Sequence, residues 1–158
     1  METITAILIG MILGGLIVFL IVYKSIPNMM LVRSKSPYDF EKTVSRLQNE
    51  LEKDGWKTPF VHDLQETMRK FEKDVHRIKV FEICKPTIAY EVLKLDRERI
   101  VSALMPCRIS VYETSTGEVW ISRLNGAKMG RFFNGAIKRS ISQAGEDSEK
   151  VIRQLITV

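Results

Sequence analysis

The sequence predicts an α+β domain, an antiparallel sheet with helices packed on one face, preceded by one transmembrane helix at the N-terminus. Three observations carry that prediction. Ile4 to Tyr23 is an uncharged run of twenty residues. Beyond it, stretches with apolar residues at helical spacing alternate with short segments of period two. Two of those short segments, CRISVYE and EVWISRL, flank TSTG as the strands of a hairpin flank its turn.

The first element is the anchor. At 1.5 Å per residue, a helix over residues 4–23 covers the roughly 30 Å hydrocarbon core of a bilayer. A cleaved signal peptide requires a positive start and a small-residue cleavage site. Here Met1, Glu2 and Thr3 precede the run, and Tyr23, Lys24 and Ser25 follow it. Residues 1–23 are therefore expected to remain as a single-pass anchor in the cell membrane. Lys24, Arg33 and Lys35 flank it on the C-terminal side. Positive residues stay cytoplasmic, so the N-terminus is expected outside and the domain in the cytosol. Cytosolic thiols are kept reduced, which argues against a structural Cys84–Cys107 disulfide. Gly10-x-x-x-Gly14, with Gly15 beside it, either permits close approach of a second helix or is simply tolerated in an anchor.

Residues 24–35 read as a juxtamembrane linker, with Pro27 ending the anchor helix. The α+β domain then spans 36–158. Its first helix takes Ser36 as N-cap and Pro37 as its first residue, places Phe40, Val44, Leu47 and Leu51 on one face, and stops at Gly55. WKTPFV is a short strand, pushed to a sheet edge by Pro59. Asp63 with Glu66 caps a second helix, whose apolar face is Leu64, Met68 and Phe71. HRIKVFEICK is the next strand. Pro86 opens a helix to Leu93, Asp96 caps another turn or two, the hairpin follows with Gly117 in its turn, and a last helix runs from near Gly135 towards Ile156.

Composition excludes several function classes. The chain has 158 residues and a net charge of +5, with its cations interspersed among acids. That pattern, without aromatic interleaving, argues against a nucleic-acid partner. P-loop, G-x-G-x-x-G, C-x-x-C and zinc-finger spacings are absent. No metal site is expected: His62, His76, Cys84 and Cys107 are too irregularly placed for zinc. Glu82, Glu113 and Glu118 fit a solvated sheet face better than acid–base chemistry, and Trp56 and Trp120 fit core or rim positions.

Two stretches hold the site candidates. Cys84 ends one strand and Cys107 begins another, and each lies near a proline. Lys85, the helix start at Pro86, and Arg108 are the groups that could lower the thiol pKa values for redox, sulfur or soft-metal chemistry. The alternative is that the cysteines pack as small apolar residues. The second stretch, GAKMGRFFNGAIKRSI, offers a lid or partner surface from Gly126, Met129, Gly130, Phe132, Phe133 and Gly135. Its alternative is a loosely built helix on the core. No cofactor is implied.

KVFEICKPTIAYEVL followed by SALMPCRISVYETSTGEVWISRLN resembles the domain-of-unknown-function family 302, with its Cys-Asn-Pro after one strand and Pro-Cys opening the next. The family's Asn is Lys85 in this chain. The resemblance implies a fold similar to the TATA-binding-protein-like class, association as homo-oligomers, and no established activity. The expected function is a membrane-tethered cytosolic binding or assembly module, with a homo-oligomeric or membrane-protein partner. Thiol-dependent chemistry at Cys84 and Cys107 is the alternative, and nucleic-acid binding a weaker one.

Overall fold

The computed structural model describes residues 2–156. Five strands form one antiparallel sheet: β1 (Leu31–Lys35), β2 (Lys57–Asp63), β3 (Ile78–Cys84), β4 (Cys107–Glu113) and β5 (Val119–Leu124), in the order β1-β5-β4-β3-β2. The helices are α1 (Glu2–Met30), α2 (Phe40–Lys53), α3 (Leu64–Arg69), α4 (Pro86–Leu93), α5 (Gly126–Met129) and α6 (Gly135–Ile156), with 3₁₀ turns at Glu98–Leu104 and Gly130–Phe132.

Alternation along the strands divides the sheet into two faces. Phe81 and Ile83, Ile109 and Val111, and Val119 and Ile121 point one way and are buried. α2 covers them with Phe40, Leu47 and Leu51, and α6 covers them with Val151, Ile152 and Leu155, giving one continuous core. Leu47 and Leu51 are fully buried, so truncating either to Ala is expected to cost about 2–5 kcal/mol. The other face carries Val80, Glu82, Ser110, Tyr112, Trp120 and Ser122, all of intermediate exposure.

Several local expectations change in the structure. Asp39, not Ser36, caps α2, accepting from the Lys42 amide at 2.8 Å. Ser36 is buried instead, its Oγ 2.6 Å from Thr43 Oγ1. Asp63 caps α3 as expected, but the helix ends at Arg69 with no buried residue, and Phe71 is exposed. α3 is too short to carry a stripe into the core.

The linker reading of 24–35 also changes. α1 continues past Pro27 to Met30, and Leu31–Lys35 form the edge strand β1, paired along its whole length with β5. A proline within a helix removes one hydrogen bond and does not necessarily end it.

The predicted transmembrane helix is not shown. Among the described residues, no helix is long and apolar enough to cross a membrane. The helix itself exists, but the side chains at 5, 6 and 8 lie outside the described residues. Met1, Thr157 and Val158, within the predicted segments 1–23 and 36–158, lie outside the described residues as well.

Candidate functional site

Cys84 closes β3 and Cys107 opens the neighbouring β4, and the register Ile83↔Cys107 places both at the same end of adjacent strands. α4 starts immediately after Cys84, and the 3₁₀ turn Glu98–Leu104 returns the chain to Cys107. α6 crosses beneath. The strand ends, α4, the 3₁₀ turn and α6 do not close completely, and an apolar cavity of about 70 Å³ remains between them. Its walls include Trp56, both cysteines, Ile88 and Val92 of α4, and Ile141 and Ala144 of α6. A second cavity of about 70 Å³ adjoins it, sharing Ile83, Leu104, Cys107, Ile141 and Ala144, and extends towards Arg123, Gly126 and Met129.

Trp56, Lys85 and Ser140 bring polar groups to the border of this apolar space. Trp56 is 3% exposed and its indole Nε1 is buried without a hydrogen-bond partner. A buried, unpaired donor costs about 1–3 kcal/mol, so natural proteins rarely keep one. Lys85 lies 5.6 Å from the Trp56 ring centroid, and its Nζ donates to Asp54 Oδ2 at 3.0 Å and Asp147 Oδ2 at 2.8 Å. Desolvation works to lower the Lys85 pKa, but its hydrogen bonds to Asp147 and Asp54 prevail and hold it above the ordinary lysine value. Lys85 thus ties the end of α2 to α6 across the junction of β3 and α4.

That arrangement decides the thiol chemistry. Lys85 is committed to two carboxylates, so its charge is spent before it reaches Cys84. Arg108 points elsewhere, with Nη2 3.6 Å from Glu82 Oε1, and strand alternation places its side chain opposite to that of Cys107. Burial pushes the Cys84 thiol up, and burial with the neighbouring Cys84 pushes Cys107 up. Both sulfurs are free, and both shifts favour the neutral thiol over the thiolate. In that form they are poor nucleophiles and poor metal ligands. Among the described residues, no group of three or more His, Cys, Asp or Glu could hold a metal ion.

The glycine-rich stretch is built for contact rather than pliability. A Cβ on Gly126 would stand 2.6 Å from Gly145 Cα, and one on Gly145 would stand 2.7 Å from Gly126 Cα. A Cβ on Gly130 would overlap Ser142. α5 and the 3₁₀ turn after it therefore press backbone to backbone on α6. Gly135 is the exception, with φ of +58° where the chain turns into α6. Met129 borders the second cavity, Phe133 packs on Val92, Val101 and Ile137, and Phe132 is exposed.

The carboxylates once open to an acid–base role are paired. Glu113 receives Arg77 in a two-point bridge at 2.7 and 2.9 Å, which holds its carboxyl below the usual range. Glu118 accepts from Lys35 at 2.6 Å, with the same effect. Glu82 lies between His62 and Arg108.

Sequence reasoning missed Asp54, Asp147 and the pair Arg123–Glu149. Arg123 is 6% exposed, and its guanidinium meets both Glu149 oxygens at 2.6 Å. A signal for Arg123 existed: Val119, Ile121 and Arg123 share the inward face of one strand, and an inward arginine requires a carboxylate. Nothing local marks Asp54 or Asp147.

Fold and site together define a small α+β domain with an apolar cavity at one end of its sheet, flanked by an ion-paired lysine. The family model described as Domain of unknown function DUF302 matches residues 32–155, and the chain belongs to that family. The match begins in β1, in accord with a domain that starts before residue 36. The chain is similar to a crystal structure of an uncharacterized conserved protein DUF302 from Bacillus stearothermophilus, with a TM-score of 0.70 and 18% identity over 79% of this chain and 97% of that one. At that identity the likeness is one of fold. No match was found among curated proteins.

Proposed function

We propose that the chain is a membrane-tethered binding module, and that its ligand site is the apolar cavity at the Cys84–Cys107 end of the sheet. The ligand class is a small, largely apolar molecule with one hydrogen-bond-accepting oxygen. The observation that carries this is the Trp56 indole N–H, buried without a partner in a residue that walls an otherwise apolar space. A bound acceptor would satisfy it and recover the penalty of its burial.

The tether is α1. No charged residue lies between Glu2 and Lys24, and every described side chain from Ile9 to Tyr23 is exposed. A helix apolar all round has no face for water, and lipid is the solvent that suits it. The positive flank supports a cytosolic domain, and protease added to intact cells is then expected to spare it. Gly10, Gly14 and Gly15 have open space beside them, room for the helix of a second copy or of a membrane-protein partner.

A TATA-binding-protein-like fold does not bring nucleic-acid binding with it. On the uncovered sheet face Arg33 lies 4.6 Å from the Trp120 ring centroid, Lys35 pairs with Glu118, and Arg108 lies near Glu82. Those cations are engaged internally, which favours the binding-module reading over a nucleic-acid one.

The test uses 2-pentanone as probe and pentane as the control without an acceptor. The ketone is expected to raise the melting temperature of the full chain and to change Trp56 fluorescence. Trp56→Phe is expected to weaken ketone binding about 5–10-fold, the value of one hydrogen bond, and to leave pentane unaffected. A ketone that produces neither shift defeats the assignment. A second reading, thiol-dependent redox, sulfur or soft-metal handling at Cys84 and Cys107, is favoured by their sharing one cavity wall. It requires at least one thiol to react faster than an unperturbed one, against the direction of both shifts.

A further inference from the structure

We infer that the surface formed by Leu31, Leu124, Lys128, Arg131 and Phe132 rests on an anionic membrane surface beside α1. This rests on the anchor reading above. No Asp or Glu occurs between Glu118 and Glu146, while Arg123, Lys128, Arg131, Lys138 and Arg139 all do. Arg123 is buried on Glu149; the other four are exposed, with no ion-pair partner among the described residues. Besides Glu149, Glu98 approaches the stretch near Gly135, and Glu91 lines a pocket with Arg139.

Position makes this stretch membrane-facing. α1 ends at Met30 and β1 begins at Leu31, so no flexible linker separates them. The Asn125 amide, which opens α5, donates to the Met30 carbonyl at 2.8 Å, fixing α5 against the end of α1. If residues 4–23 span the hydrocarbon, the seven helical residues that follow rise roughly 10 Å, a little more than the depth of one headgroup layer. The surface around Met30 then lies at the outer edge of the headgroups. What it presents there is Leu31 and Leu124, exposed at 57% and 38%, with Phe132, exposed at 68%, on the 3₁₀ turn that follows α5, among unpaired cations. Exposed apolar side chains interspersed with lysine and arginine suit the boundary between acyl chains and anionic headgroups. Compact glycine contacts between α5 and α6 hold that surface rigid. The second cavity borders on it through Leu124, Gly126 and Met129, which gives an apolar ligand dissolved in the bilayer a short route into the domain.

The experiment places the full chain in vesicles containing brominated lipids, either zwitterionic alone or with phosphatidylserine. Phe132→Trp is compared with the parent, whose Trp56 and Trp120 give the background. Extra quenching is expected at position 132 in the phosphatidylserine vesicles, reduced at least two-fold in high salt. Adding Lys128→Glu and Arg131→Glu is expected to reduce it as well, since each cation near an anionic surface strengthens contact about five-fold. These exposed substitutions leave the core untouched, and a cooperative melt checks folding. Quenching equal to background, in protein that floats with the vesicles after an alkaline wash, overturns the surface contact alone. Protein that fails to float overturns the anchor, and this inference with it.

Discussion

α6 packs in two opposite ways along its length. At Gly145 it meets α5 so closely that neither backbone leaves room for a Cβ. Within the same turn, at Ile141 and Ala144, the helix also borders two adjoining cavities, the second of which Gly126 and Gly145 help to line. A generally loose interior would be loose in both places. The glycine contact shows that this chain can bring backbones together where it has small residues to do so, and the cavity is thus a local feature of its apolar walls. The two regions also differ in polar accounting. Buried Arg123 is satisfied by Glu149, whereas Trp56 Nε1 is left unpaired.

Substitutions that fill each region put the contrast to the test, and the tight contact should show the largest effect. Gly145→Ala places a methyl group against the Gly126 backbone, which cannot move aside as a side-chain tip could. A loss of about 1–3 kcal/mol is expected in denaturant unfolding. An unchanged midpoint would mean that α5 is free to shift, and the contrast would fail.

Next comes the ionic tie near the cavity. Lys85→Met leaves Asp54 and Asp147 without their shared cation, at side-chain exposures of 23% and 29%. The expected cost is about 1–3 kcal/mol, towards the low end because both carboxylates retain some water. The pH dependence sharpens this. A lysine held above its ordinary value contributes fully below 10.5, and that contribution is lost as pH rises through its higher folded value. The parent should therefore lose more stability than Lys85→Met in alkaline unfolding curves; parallel curves would remove Lys85 from the account.

Ala144→Met fills space that both cavities share. Stability is expected to change by less than about 1 kcal/mol, because the added atoms enter a void and Met is a good helix former. Binding of 2-pentanone should fall by at least five-fold. A destabilisation as large as that of Gly145→Ala would show that no usable void exists there.

The smallest effect belongs to the thiols. Burial holds both above the ordinary value of 9.0. At pH 7 each should alkylate more slowly than a free thiol in the folded chain, and at the ordinary rate after unfolding. A faster rate at either residue would transfer the weight to the thiol-dependent reading.

The sequence by itself determined most of the local structure. The period of Phe40, Leu47 and Leu51 marked α2, Asp63 with Glu66 marked the start of α3, Pro86 opened α4, and Gly117, at φ +78°, turned the hairpin. Each of these depends on residues a few positions apart, where spacing alone states which groups meet. It also marked Cys84 and Cys107 as strand-end neighbours, though not what surrounds them. Tertiary structure alone decided the rest. β1 forms because Leu31–Lys35 finds β5, which no local signal announces. Lys85 reaches Asp147 across 62 positions, and that pairing, rather than the adjacency of Lys85 to Cys84, decides where its charge acts. Gly126 reads locally as flexible, yet its function is set by Gly145 on another helix. Whether Trp56 Nε1 has a partner depends on every group that could have reached it. Such facts are sums over distant parts of the chain, and only the packed molecule evaluates them.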